Sequence, residues 1–195
     1  MQVVDEQKRS KILAAAARLF ATQPFHKVLL SDVAEAASVG KGTLYTYFKS
    51  KEDLFFSLVY SGFSRLVDLL MEEMDKKDHD PKENLKLVIQ ETVRFAYHAP
   101  HLFELMRTIP GWKPDDRARW DAKRREFKKM IEAIIRDGID RGVFIDPHPE
   151  LTARYIPGFV RSALLDGNEQ LDPDVLTEHI SRFVMSAITA RDKKN

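Results

Sequence analysis

The sequence contains no cysteine among its 195 residues. Disulfide bonds, thiolate metal ligands and redox sensing through thiols are therefore excluded. Long apolar runs are also scarce, because charged residues interrupt every stretch that approaches the length of a bilayer span. We therefore expect a cytoplasmic protein that does not cross a membrane.

A large net charge is absent as well, but the charge of +1 is unevenly distributed. The first 51 residues contain eight bases and four acids, a net charge of 8 − 4 = +4, so the remaining residues sum to 1 − 4 = −3. A basic N-terminal part on a mildly acidic body favours an anionic partner for the former. Charge differences of this size also occur in ordinary enzymes, so the difference is informative only beside a motif.

Apolar residues recur at helical spacing along the chain, without strand-like alternation or an internal repeat. The fold should be all-α, with about nine helices. A breaker at 22–24 ends the first helix, and Asp172 with Pro173 gives the ninth a cap and a favoured first residue. A short sixth helix is expected within 100–110, and Pro157 predicts a kink or a break in the eighth.

Two short helices near the N-terminus form a predicted helix-turn-helix, propped by an apolar first helix. Their inward residues are Val33, Ala34, Ala37, Leu44 and Phe48. Gly40 can cap the third helix, and Ser50 caps a fourth, with Asp53 placed to complete a capping box. The connection between the second and third helices is too tight for a long loop, which is typical of this motif.

The third helix, within 40–51, has the composition of a DNA-reading helix. Its outward residues are Lys41, Thr43, Tyr45, Thr46 and Tyr47. Hydroxyls and a base suit contacts with phosphates and with base edges. Taken alone, the segment is also compatible with a capped core helix whose tyrosines cover its ends.

The stretch 12–54 resembles the DNA-binding domain of the TetR family of transcriptional regulators. That family carries Gly-Thr-Leu-Tyr, then an aromatic residue before Phe, then Ser-Lys-Glu-Asp-Leu, and this chain has them in order at 42–45, 47–48 and 50–54. The resemblance implies a three-helix helix-turn-helix DNA-binding domain at 1–51 and a helical effector-binding and dimerisation domain at 52–195.

The resemblance also implies roles for single residues. Those expected at the major groove are Lys41, Gly42, Thr43 and Tyr45, and those expected along the phosphates are Thr46, Tyr47 and Lys51. Leu29 stands where the family usually has a threonine that caps the second helix and touches a phosphate, so Ser31 is the nearest substitute. Ser38 and Gly40 replace the usual glycine and serine around the turn.

The function implied is that of a homodimeric repressor that holds double-stranded operator DNA and is released by a small apolar or amphipathic ligand. An activator, a DNA-binding protein without an effector, and an enzyme in the C-terminal domain are the alternatives. The sequence has no Gly-rich phosphate loop, nucleophile elbow or catalytic Ser/His/Asp pattern, and no histidine pair at metal-ligand spacing with a carboxylate. We expect no enzymatic activity, no cofactor and no metal.

Aromatic residues are dense in the C-terminal domain, and most of them should form a packed core. The candidates for an effector pocket are Phe63, Phe95, Phe103, Trp120, Arg124 and Phe127. On the seventh helix, Lys123 and Arg124 fall at the edges of the apolar face. We expect both bases to reach solvent; the alternative is a cation that meets an acidic group of the ligand.

The last two helices carry narrow apolar stripes that could meet their copies in a four-helix bundle. The predicted dimer residues are Val160, Ala163, Leu164, Leu176, Ile180, Phe183 and Ala187. The resembled family dimerises in this way.

Overall fold

The computed structural model describes residues 5–75, 80–98, 113–165 and 171–189. Within these ranges the chain is all-α, as predicted, with no strand. The helices are α1 (Glu6–Thr22), the 3₁₀ helix η1 (Phe25–Lys27), α2 (Leu30–Ala36), α3 (Lys41–Tyr47), α4 (Lys51–Asp75), α5 (Pro81–His98), α6 (Pro114–Asp140), α7 (Pro149–Leu165) and α8 (Pro173–Ile188). The predicted sixth helix lies outside the described residues, so α6, α7 and α8 are the seventh, eighth and ninth helices of the sequence prediction.

The chain divides into two compact units, and the division falls inside α4, between Phe63 and Ser64. The first unit contains α1, α2, α3 and the first part of α4. The second contains the remainder of α4, together with α7, α8 and most of α5 and α6. One continuous helix therefore contributes to both units.

The first unit has a core of aliphatic residues beside a cluster of three aromatic rings. Ile12 of α1, Leu44 of α3 and Leu54 of α4 are completely buried. The rings of Phe20, Phe25 and Phe55 pack with centroids 5.0 to 5.6 Å apart. Because α1, η1 and α4 each supply one ring, this cluster fixes the frame from which α2 and α3 project.

Side-chain caps define where several helices begin. The Asp5 carboxylate accepts the backbone N–H groups of Gln7 and Lys8 at 3.0 and 3.3 Å, and the Lys8 bond is the main reason that the pKa of Asp5 lies below its usual value. The Ser50 hydroxyl accepts the N–H of Asp53 at 3.1 Å, which confirms the predicted cap of α4. The Asp53 carboxylate accepts the backbone N–H of Lys49 at 2.8 Å. In a standard capping box it would accept the N–H of the cap residue itself, Ser50.

The end of α6 is packed against a phenylalanine ring. A Cβ atom at Gly138 would lie 2.1 Å from a ring carbon of Phe144, so only glycine fits there. The chain then turns back, and the N–H of Ile145 donates to the carbonyl oxygen of Ile188 at 2.6 Å, next to an isolated bridge between Phe144 and Thr189. The close approach at Gly138 thus sets where the end of α8 meets this turn.

The break expected at Pro157 is absent from the structure, and a kink there stays a prediction. α7 runs without a break through Pro157, because Ala153, Ile156 and Val160 on its inner face are all buried and hold the helix on both sides of the proline. By length and composition alone, the part of α4 at 51–74 could span a membrane, and 44% of its apolar window is buried inside the protein. The core helix of a water-soluble protein has the same composition, so this feature alone does not indicate a membrane protein.

Candidate nucleic-acid interface

The turn between α2 and α3 is short and held by backbone hydrogen bonds. The N–H of Ser38 donates to Glu35 and that of Val39 to Ala34, both at 2.9 Å. Ser38 has a φ of 55°, the left-handed conformation that glycine adopts most readily. The two helices therefore meet with the tight geometry of a helix-turn-helix, as the sequence predicts.

A depression of about 260 Å³ lies where the start of α2 meets α3. Its lining residues are Leu29, Leu30, Ser31, Lys41, Leu44 and Tyr45. Lys41 is exposed, and Tyr45 is 50% exposed although it follows the completely buried Leu44. A cation, a phenol and a hydroxyl thus share one concave surface of the first unit.

The other outward residues of α3 are less uniformly placed. Gly42 and Thr46 are exposed, while Thr43 is half-buried. The Thr46 hydroxyl donates to the carbonyl oxygen of Gly42 at 3.0 Å. Because that bond uses the hydroxyl proton, a phosphate contact by Thr46 requires the side chain to rotate.

The start of α2 lacks a side-chain cap. Leu29 occupies the N-cap position, is 56% exposed and forms no capping hydrogen bond. The Ser31 hydroxyl donates to the Asp32 carboxylate at 3.2 Å, and no side chain accepts a backbone N–H at the start of α2. The loss of the usual threonine cap is therefore visible in the structure, and a phosphate contact by Ser31 stays a prediction.

Tyr47 ties the end of α3 to the start of α1. Its hydroxyl oxygen accepts the backbone N–H of Asp5 at 3.2 Å. The hydroxyl proton stays available, so Tyr47 can still donate to a phosphate. Next to it, the Arg9 guanidinium lies 5.7 Å from the centroid of the buried Phe48 ring.

Lys51 has a structural role that the sequence did not indicate. Its ammonium donates to the carbonyl oxygens of Phe25, Val28 and His26 at 2.9, 3.1 and 3.4 Å, and lies 4.6 Å from the centroid of the Phe25 ring. These bonds match the three protons of an ammonium group. They join the start of α4 to the segment between α1 and α2, and they compete with the phosphate contact expected of Lys51.

The predicted effector residues do not all belong to one unit. Phe63 is buried and belongs to the first unit. In the second unit, Trp120 and Phe127 are buried on α6 and Phe95 is half-buried on α5. Phe103 lies outside the described residues.

The two bases of α6 at the edges of the apolar face differ from each other. Arg124 is exposed. The Lys123 side chain is only 12% exposed, and its ammonium bonds Asp68 at 2.7 Å and Glu126 at 3.1 Å. Burial alone would lower the pKa of Lys123, but these two carboxylates hold it above the usual value. The expectation that both bases reach solvent is therefore wrong for Lys123.

The predicted dimer residues divide into an inner and an outer set. Val160, Leu176 and Ile180 are 0%, 4% and 4% exposed in the single subunit, so their assignment to a dimer interface is corrected: no surface is left for a partner to cover. Ala163 and Leu164 are half-buried, and Phe183 and Ala187 are exposed. A helical wheel cannot separate the two sets, because α8 is apolar on both faces.

An apolar outer face remains on α7 and α8. The Phe183 ring is 57% exposed and packs edge-to-face on Phe159 with centroids 5.3 Å apart. Tyr155 and Val175 are also more than half exposed. The dimer residues predicted from the sequence include Phe183 and do not include Tyr155, Phe159 or Val175.

No cluster of metal ligands accompanies this interface in the part of the chain that the structure describes. Three His, Asp or Glu side chains that could hold a metal ion do not come together anywhere in residues 5–75, 80–98, 113–165 and 171–189.

Comparison with known proteins gives matches along nearly the whole chain. Residues 12–58 match the family described as "Bacterial regulatory proteins, tetR family", and residues 78–188 match "Tetracyclin repressor-like, C-terminal domain". The uncharacterised HTH-type transcriptional regulator YhgD of Bacillus subtilis is 28% identical, over 94% of this chain and 97% of its own.

Two solved structures of similar fold contain bound small molecules. One is the regulator FadR of Bacillus subtilis in complex with stearoyl-CoA, with a TM-score of 0.72 at 22% identity, covering 91% of this chain and 97% of the other. The second is a regulator from Saccharomonospora viridis in complex with choline, with a TM-score of 0.81 at 21% identity, covering 96% and 100%. At these identities the likeness establishes the fold.

Proposed function

Since the chain belongs to the TetR family of bacterial regulatory proteins and is thus a DNA-binding transcriptional regulator without enzymatic activity, we propose that it is a cytoplasmic, homodimeric repressor. In this proposal the first unit holds a palindromic operator, and a small apolar or amphipathic ligand in the second unit releases it. The observation that carries the proposal is the concave surface of α2 and α3, where Lys41 and Tyr45 project beside an uncapped helix start.

The chemistry of this surface suits the major groove. A lysine ammonium can donate to the acceptors of guanine, and an exposed phenol can donate to a base edge or a phosphate. Gly42 has open space around its Cα, so the helix backbone can approach the DNA closely there. A homodimer would present two such helices to successive major grooves.

We predict that selection from a random duplex pool recovers a roughly palindromic sequence. With about 6 to 10 phosphate contacts per dimer, affinity for it should fall about 10³- to 10⁵-fold between roughly 50 and 200 mM salt. Lys41→Ala and Tyr45→Ala should each weaken the selected duplex by about 1 to 3 kcal/mol if they reach base edges. Fluorescence anisotropy with labelled duplexes measures both effects.

The matched control for Lys41→Ala is Lys86→Ala, which removes the same charge from an exposed position on α5 in the second unit. It should leave the affinity for both selected and random duplexes unchanged. Binding that depends on neither salt nor sequence would overturn the proposed DNA interface.

The ligand part of the proposal rests on the aromatic residues of the second unit. Trp120 and Phe127 are buried on one face of α6, and such residues line sites for apolar ligands as well as ordinary cores. The bound stearoyl-CoA and choline in proteins of the same fold support a small-molecule ligand, and the stearoyl-CoA supports an amphipathic one. A ligand can release DNA only if it binds the DNA-free conformation more tightly.

We predict that a ligand of this class changes the fluorescence of Trp120 and weakens operator binding by a coupling of about 1 to 3 kcal/mol. Trp112→Phe makes Trp120 the single tryptophan of the chain, which assigns the signal. Phe127→Ala should reduce the coupling and leave ligand-free operator binding nearly intact. Ile135→Ala, an equally buried position two turns further along α6, is the control for a general loss of packing and should retain the response.

The same titrations decide between a ligand-responsive repressor and a DNA-binding protein without an effector. If several small apolar and amphipathic molecules bind tightly and none changes the operator affinity, the ligand-release mechanism is wrong.

A further inference from the structure

Four cations gather on the second unit without a matching set of carboxylates. They are Arg124, Arg125 and Lys128 of α6 and Arg154 of α7, and we call them the cationic cluster because the charge of each arginine acts on Lys128. Arg124 and Lys128 are four residues apart, which places them side by side on one face of the helix. Arg124, Arg125 and Arg154 are exposed and Lys128 is half-buried.

The positive charge of the cluster is largely uncompensated. Among the described residues, no ion pair joins any of the four cations to a carboxylate. Asp121 is the one carboxylate that stabilises the charge of Lys128, while burial and the three arginines lower the pKa of this lysine. The nearby Glu150 lies 3.5 Å from His148 instead of pairing with Arg154.

Lys123 differs from the cluster because its charge is paired. It lies on the same helix and is bonded by two carboxylates, Asp68 and Glu126. Two carboxylates thus form ion pairs with Lys123, whereas no carboxylate forms one with the half-buried Lys128 among the described residues. Four neighbouring cations with one carboxylate form a surface that an anion would stabilise.

The cluster lies along one edge of the buried face of α6. Seven residues are nearly two helical turns, so Arg124 points in almost the same direction as Ile131, and Lys128 in almost the same direction as Ile135. Both isoleucines are completely buried, whereas Arg124 is exposed. The face that is covered in the second half of α6 is therefore open to solvent beside Arg124.

Apolar groups adjoin this opening on the same helix. Trp120 precedes Arg124 by four residues and Phe127 follows it by three, so both neighbour it on the helix surface. They are 6% and 2% exposed. A molecule whose charged group met Arg124 would thus have its remaining length directed at buried aromatic rings.

We propose that the cationic cluster binds the anionic head of an amphiphilic effector, a phosphate ester or a carboxylate, whose apolar chain packs beside Trp120 and Phe127. This inference rests on the proposed ligand control and deepens it by naming the ligand class. Guanidinium and ammonium groups form charge-assisted hydrogen bonds with both kinds of anion, and an arginine can hold either one in bidentate fashion.

Calorimetric titration of the full chain with three probes of equal chain length tests the proposal. Lauroyl-CoA carries phosphates, laurate carries a carboxylate, and dodecanol carries no charge. At least one anionic probe should bind about tenfold or more tightly than dodecanol, because one strong charge-assisted contact is of this size. The anionic probe that binds more tightly shows whether the cluster prefers a phosphate ester or a carboxylate.

The variants are matched in charge. The double substitution Arg124→Gln/Lys128→Gln should remove the preference for the anionic probe and keep the affinity for dodecanol. Lys82→Gln/Lys86→Gln, which also removes two charges four residues apart, from exposed positions on α5 in the second unit, should keep the preference. Arg154→Gln removes a cluster charge from a different helix, and Asp121→Asn should strengthen anion binding severalfold, so the test does not depend on one variant folding well.

Equal affinities for the three probes, binding of none of them, or an unchanged preference in the cluster variants would overturn the anion site. Operator release, measured separately by anisotropy, distinguishes the two proposals. Anionic probes that bind through the cluster and leave the operator affinity unchanged would support the site and contradict the proposed ligand control.

Discussion

Lys51 has two roles that exclude each other, an expected contact with DNA and an observed set of hydrogen bonds within the first unit. Its position in the Ser-Lys-Glu-Asp-Leu motif implies a contact along the DNA backbone, yet its ammonium bonds three carbonyl oxygens of the segment between α1 and α2. A phosphate oxygen and a carbonyl oxygen attract an ammonium group by the same chemistry. The sequence pattern therefore predicts that the lysine is needed and cannot predict which oxygen it meets.

We predict that Lys51→Met lowers the free energy of unfolding by about 1.5 to 3 kcal/mol, the size of hydrogen bonds made by a charged group. The salt dependence of operator binding should be unchanged, because no phosphate contact is lost. Chemical denaturation measures the first quantity and anisotropy at several salt concentrations measures the second.

Lys49→Met is the control, since the Lys49 ammonium makes a single exposed bond with the carbonyl oxygen of Tyr45 at 3.3 Å. It should cost much less stability. A salt slope that falls by about 0.9 for each Lys51 removed, with stability intact, would instead assign this lysine to the phosphates.

Helix ends were predictable wherever a side chain caps them. Asp172 accepts the N–H groups of Asp174 and Val175 at 2.8 and 3.3 Å, and α8 begins at Pro173 as expected. Pro157 was not predictable in the same way, because its local effect is opposed by the packing of α7 on residues distant in sequence. Local chemistry sets where these helices start, and tertiary contacts decide whether one continues.

The approach of α6 to the Phe144 ring is such a tertiary contact, and it gives a test at the scale of an element. Gly138→Ala should lower stability by about 1 to 3 kcal/mol, the range for an overpacked core, although alanine favours a helix over glycine. Thermal unfolding measures the change. Adding Phe144→Leu, which shortens the opposing side chain, should recover part of the loss.

Gly42→Ala is the comparison within α3, because a Cβ atom there meets nothing within 4 Å. Its stability should be equal or slightly higher. Stability lost equally at both glycines would show that contact with Phe144 is not the reason for glycine at 138.

For the whole molecule, the assignment of α7 and α8 to a dimer interface stays a prediction, and the sequence could not predict which of their faces are exposed. Ile180 and Phe183 are three residues apart on α8 and both apolar, yet one is 4% and the other 57% exposed. The distinction depends on which side α7 covers, and a single chain's periodicity does not contain that information. The outer face of Tyr155, Phe159, Val175 and Phe183 is the surface that we propose for contact with a second subunit.

We predict that Phe183→Asp yields folded monomers with weakened operator binding, because a charge on the outer face opposes association and leaves the core intact. Light scattering gives the mass and circular dichroism the helix content. Ile180→Asp, one turn away, should instead unfold the second unit, since it buries an unpaired carboxylate. A stable dimer of the Phe183→Asp variant would place the interface elsewhere.

The turn between α2 and α3 also bears on how this regulator can diverge. Ser38 holds a left-handed conformation that costs an L side chain about 1 kcal/mol or more, and glycine would adopt it more readily. Replacement by glycine would leave Lys41 and Tyr45 as they are and add stability to the segment that presents them. If Ser38→Gly occurred first, the added stability would offset the cost of destabilising substitutions on α3. A change of operator specificity would therefore be tolerated better after Ser38→Gly than without it.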